Sequence, residues 1–190
     1  MDKMEKNRLI VISIMSYYAR QIFAETKKYE FRKSPLKDDD LNKKIYVYSA
    51  KEDKALIGYI KVSDILKGNT KQILKKTGYD NRLDGHEIVD YYGENFQKCC
   101  ALKLYDVTEF EEYLSLKEMR KIDPNIQFSQ YYSYIDEKSP LYQVIKEWDK
   151  AFSLDGNLCK NPYQVKKLIL QNARKRGKKD DFWNETTTWI

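Results

Sequence analysis

The chain has 190 residues, enough for one domain of ordinary size with an extension, or for two small units. Hydrophobic residues make up 42%, so a packed core is affordable, and seven glycines with four prolines argue against a large disordered fraction. The formal charge of +6 and pI near 8.9 suit a partner bearing phosphate but are equally those of a Lys-rich globular protein.

Three cysteines (Cys99, Cys100, Cys159) without CxxC spacing give neither a disulfide framework nor a zinc site, and the single histidine, His86, cannot build a multi-histidine metal centre. A reducing compartment follows, with no metal and no cofactor implied. The apolar run Leu9 to Met15 is too short to span a bilayer and lacks a signal-peptide cleavage pattern, so a soluble cytoplasmic protein is expected.

Residues Met1 to Arg8 are polar and expected to fray. Leu9 to Met15, rich in Ile and Val, reads as a buried strand. Ser16 is placed to cap a short helix from Tyr17 to Ala24. From Thr26 to Lys33 the period changes to two, with Tyr29 and Phe31 on one face and Lys28, Glu30 and Arg32 on the other. Lys37 to Asp40 reads as a loop.

Lys44 to Ala50 is a strand with Ile45 and Val47 opposite Tyr46 and Tyr48, and Leu56 to Val62 is the next. Gly58 within it signals a bulge or a close backbone approach. Ser63 to Gly68 reads as a short helical turn ended by glycine. Helices follow over Asn69 to Thr77 and Asp84 to Tyr92, the second capped by Asp84 and closed by Gly93. Gln97 to Asp106 is a strand that Val107 to Leu114 continues or turns, and Leu116 to Lys121 adds a helical turn.

Asp123-Pro124-Asn125 is a turn, and the Tyr-rich stretch Gln127 to Tyr134 would close the unit as a strand. Leu141 to Phe152 has a helical stripe with Pro140 at its start. Pro162 opens a second helix that ends in the basic run Arg174, Lys175, Arg176, Gly177, Lys178 and Lys179, and Trp183 and Trp189 lie in the tail. The organisation is an α+β unit over residues 1–135 with a helical extension over 136–190.

The chemistry concentrates between Ile22 and Lys33. Glu30 and Arg32 share a strand face, and Lys27 joins them only if the helix-to-strand turn brings it round. Converged, the Glu would accept from amino groups and the cations would hold an anion. The alternative is a solvated strand face with a surface ion pair.

This stretch resembles the ASCH domain family of the PUA-like superfamily, whose members show a Gly-x-Lys-x-x-Glu-x-Arg pattern after a short helix. Lys27, Glu30 and Arg32 match it, while Glu25 stands where the family has glycine. The later strands, Lys44 to Ser49, Ile57 to Ile65 and Gln97 to Leu104, fit in order, and the resemblance spans Leu9 to Tyr134. It implies a PUA-like small β-barrel with flanking helices, and a cleft beside the barrel lined by Lys27, Lys28, Glu30 and Arg32.

The function so implied is binding of RNA or a nucleotide-like ligand. Alternatively it implies a hydrolase, either a ribonuclease or an acetylcytidine amidohydrolase, with Lys27 and Glu30 as catalytic groups. In the amidohydrolase branch a Thr stands where this chain has Glu30, and the second carboxylate of that branch has no visible counterpart here. The extension falls outside the resemblance.

Other candidates have plain alternatives. His86 could be an acid–base group or a helix-surface residue. Cys99 and Cys100 point to opposite faces of a strand, and one belongs in the core. Tyr131, Tyr132 and Tyr134 could stack bases or pack the fold. The cluster Arg174, Lys175, Arg176, Lys178 and Lys179 could grip nucleic acid or simply complement a helix dipole. Residues 140–190 could also hold a protein partner or mediate self-association.

Overall fold

The computed structural model describes residues 7–78, 85–153 and 161–184, with the side chains of residues 85, 86 and 177–184 outside the description. β1 (Arg8–Met15) leads into α1 (Ser16–Phe23), β2 (Tyr29–Arg32) and a 3-10 turn at Asp38–Asp40. β3 (Ile45–Ala50) and β4 (Ala55–Gly68) follow, then α2 (Thr70–Thr77) and α3 (Gly85–Tyr92). β5 (Cys99–Ser115), α4 (Leu116–Met119), β6 (Tyr132–Asp136), α5 (Pro140–Phe152) and α6 (Pro162–Asn184) complete the fold.

Among the described residues, six strands form one sheet in the order β2-β5-β4-β3-β1-β6, parallel only where β1 pairs with β3. The architecture is mixed α+β, as expected, but the sheet is not closed into the expected barrel. β2 and β6 stand at its two ends. Among the described residues no ladder joins these two ends; Arg32 of β2 instead reaches the Ser13 and Gln130 carbonyls through its side chain.

The sheet buries both faces. On β3, Ile45 and Val47 enter one core with Ile10, Ile12 and Ile22, while Tyr46 and Tyr48 enter another with Trp148 and Phe152. The period-two reading of this strand therefore holds, with neither face left to solvent. α5 and α6 cover the second core: Trp148, Phe152, Ile169 and Ala173 are buried there, whereas Leu168 of the expected α6 stripe is exposed. A third, smaller core packs α2 and α3 on β2 and β5 through Ile73, Ile88, Tyr92, Phe31 and Ala101.

Local signals mostly acted as their chemistry suggests. Asn69 caps α2 in a reciprocal box with Gln72, and Gly78 ends that helix at φ +66°. Ser139 caps α5 with Pro140 in its first turn. Gly58 sits at a register shift, and a Cβ there would lie 2.2 Å from the Thr108 carbonyl oxygen and 2.7 Å from the Phe23 ring. Only glycine lets β5 and α1 approach so closely.

Four expectations are corrected. Ser16 does not cap α1; its hydroxyl donates to the Ala50 carbonyl instead. Ser63 to Gly68 is strand, because the far end of β5 pairs with it from Asp64↔Lys103 to Gly68↔Cys99 and satisfies its backbone. The closing strand begins only at Tyr132. Before it, the Ser129 hydroxyl donates to the Tyr132 carbonyl and accepts from the Tyr131 N–H, holding a loop where a ladder was expected. Finally, α6 runs on to Asn184, so the basic run lies inside the helix and not at its end. Asp84, Cys159 and Trp189 lie outside the described residues, as do the side chains of His86, Lys178, Lys179 and Trp183. Among the described residues no helix is long and apolar enough to cross a membrane.

Candidate functional site

The turn after α1 decides where Lys27 goes. The Thr26 N–H donates to the Gln21 carbonyl and the Glu25 N–H to the Ile22 carbonyl, the paired bonds of a Schellman ending. Glu25 occupies its left-handed position at φ +54°. Glycine takes this conformation without a Cβ penalty, which explains physically why glycine suits the position. The Lys27 N–H then also donates to the Gln21 carbonyl, and the reversed chain enters β2 with the Lys27 side chain turned inward.

The result is a buried ion cluster. Lys27, Glu30 and Arg32 are 4%, 7% and 5% exposed, so the solvated-face alternative does not describe them. Lys27 Nζ lies 2.8 Å from Glu30 Oε2 and also donates to the Tyr29 carbonyl. Arg32 Nε lies 3.0 Å from Glu30 Oε1, near enough for an ion pair but off the line of a hydrogen bond. Its two outer nitrogens donate to the Gln130 carbonyl at 3.0 Å and to the Ser13 carbonyl. Arg32 thus links β2 to β1 and to the loop before β6, across the place where the sheet fails to close.

A cleft of about 460 Å³ opens there. One wall is the cluster. The others come from the end of β1 (Ser13 to Met15), Tyr18 of α1, Glu87, Ile88 and Tyr91 of α3, and the loop residues Gln130 and Tyr131. Tyr18 Oη donates to Glu87 Oε2 at 3.3 Å, and burial, then the Glu87 carboxylate, hold this phenol above its ordinary pKa, so it remains a donor. Lys33 lies among the lining residues, and its ammonium sits 5.3 Å from the Tyr91 ring centre and 5.7 Å from that of Phe96.

Not every expected residue joins. Lys28 is exposed and is not among the lining residues; its carbonyl accepts from the Leu104 N–H. Of the three tyrosines, Tyr131 lines the cleft, while Tyr132 reaches the Ser34 carbonyl and Tyr134 packs under the Arg8 guanidinium. Cys100 is buried behind Arg32, its thiol donates to the Arg32 carbonyl, and burial pushes it up to about 11, the opposite of a reactive thiolate. On α6, Arg174 and Lys175 are exposed, while Arg176 is held by Glu147 at 2.8 Å.

Glu87, Tyr91, Lys33 and Tyr18 were not among the residues expected at the site. Ile88 and Tyr92 on Phe31 bring α3 there, a long-range packing that spacing does not reveal. Lys33 adjoins the motif but carries no signal of its own.

No family model matches the chain. A curated protein of Zymomonas mobilis named ASCH domain-containing ribonuclease is 27% identical over 118 residues, covering 62% of this chain and 77% of its own length. The crystal structure of ASCH from Zymomonas mobilis superposes with a TM-score of 0.62 at 24% identity, over 72% of this chain and 93% of that one. A point mutant of the same protein gives 0.63 at 23% identity, over 74% and 96%. These structures share the fold. Together with the related sequence and the Lys27, Glu30, Arg32 pattern, they support the resemblance to the ASCH domain family.

Proposed function

We propose that this protein binds RNA or a nucleotide-like ligand in the cleft beside β2. The observation that carries the reading is the convergence of Lys27, Glu30 and Arg32 on one wall of a space large enough for a nucleoside. The carboxylate offers acceptor capacity to ring N–H and amino groups, and Tyr18, Tyr91 and Tyr131 supply aromatic surface. Arg174 and Lys175, exposed on α6, add a second, sequence-independent contact to phosphate in the same proposal. Within it, residues 136–190 are an addition to an ASCH-type unit over 1–135, and the place for any protein partner or self-association.

The test is binding of a short single-stranded RNA to the parent and to Lys27→Ala and Glu30→Gln variants. Affinity should fall about tenfold or more in each. Unchanged affinity with unchanged salt dependence would remove the cleft from the reading.

A second reading, RNA cleavage, is favoured by the name of the Zymomonas mobilis relative. In it Glu30 takes the proton of the attacking 2′-hydroxyl, whose oxygen bonds phosphorus as the P–O bond to the 5′-oxygen breaks; that oxygen leaves with a proton from solvent, while Lys27 stabilises charge on the phosphate. Incubation of RNA with the parent and with Lys27→Ala separates the two readings: cleavage that the variant loses selects the second.

A further inference from the structure

We infer that the cleft takes a single unpaired nucleotide ring-first, with its phosphate left at the rim on Lys33. This rests on the binding reading above and assigns its polarity.

The cations of the inner wall are already occupied. Lys27 Nζ serves Glu30 and the Tyr29 carbonyl, and Arg32 serves Glu30, Ser13 and Gln130. A phosphate placed there would compete with these bonds and face the Glu30 carboxylate at contact distance. Glu87, exposed on α3, adds a second carboxylate to the lining. The buried like charge of Glu30 disfavours a phosphate deep in the cleft.

The Glu30 carboxylate suits a neutral ring that presents N–H donors. Glu30 keeps unused lone pairs after its two ion pairs, and a base amino group is a donor of the right kind. Lys33 differs from the inner cations. It is exposed, and among the described residues its ammonium makes no ion pair; it lies over the Tyr91 and Phe96 rings. Tyr91 and Tyr131, each 41% exposed, flank the same rim and offer faces to a sugar or a neighbouring base. Positive charge on Lys33 at the rim and the Glu30 acceptor at the floor give one favourable direction of entry.

Titration calorimetry with adenosine, adenosine monophosphate and inorganic phosphate tests this on the full chain. The monophosphate should bind the parent about tenfold more tightly than adenosine at low salt. In Lys33→Ala that advantage should vanish while adenosine binds as before. In Glu30→Gln both should weaken together, and inorganic phosphate should not displace adenosine from the parent. A phosphate advantage that survives Lys33→Ala, or displacement of adenosine by inorganic phosphate, would overturn the assignment. If neither adenosine compound nor single-stranded RNA binds the parent, the binding reading itself falls and takes this inference with it.

Discussion

Glu30 at 7% and Asp149 at 8% exposed are carboxylates of near-equal burial, the first held by the cations Lys27 and Arg32 and the second by Lys44. Asp149 accepts from Lys44 Nζ at 2.8 and 3.0 Å, from Tyr46 Oη at 2.9 Å and from the Ser153 hydroxyl. Every donor converges on that carboxylate, and it tethers α5 to β3. Around Glu30 the donors diverge: Lys27 and Arg32 spend them on carbonyls from three separate segments, and the carboxylate itself faces an open cleft. Buried charge alone therefore does not mark a site. The mark is a charged group whose partners leave it capacity and whose surroundings leave it space.

The comparison can be broken most directly at Glu30. Glu30→Ala leaves two buried cations without their shared counter-charge, and urea unfolding should show a loss of about 3 kcal/mol. Glu30→Gln should recover much of that stability without recovering ligand affinity; full affinity in this variant would make Glu30 merely structural. Asp149→Asn should cost about 2 kcal/mol by the same measurement, because a neutral amide serves Lys44 poorly. Its adenosine monophosphate affinity should match the parent's, and a matching fall would erase the distinction between the two clusters.

Smaller effects sharpen the picture. Glu25→Gly relieves a left-handed residue and should raise stability by about 1 kcal/mol, seen as a higher midpoint in urea. Arg176→Ala removes a partly exposed pair with Glu147 that solvent screens, and should change stability by about 0.5 kcal/mol or less.

The helices and most strands were legible because their signals are local. The stripe of α5, the cap at Asn69 and the alternation on β3 each work within a few residues. Ser63 to Gly68 was not, since its strand state comes from β5, about thirty to forty residues further along the chain. The site divided along the same line. Lys27, Glu30 and Arg32 are close in sequence and conform to a family pattern, so they could be named, though not that they are buried. Glu87 and Tyr91 reach the cleft on a helix placed by tertiary packing alone. The left-handed turn at Glu25 was hidden by the absence of the glycine that would have announced it.

The guanidinium of Arg32 acts as a ruler across the gap in the sheet. Its plane is rigid, and its two outer nitrogens fix how far β2 can stand from Ser13 and Gln130. A lysine there would keep the charge but lose the second point of attachment. The mouth of the cleft thus has a set width, and a ligand that drew Arg32 toward itself would have to release either the end of β1 or the loop carrying Tyr131.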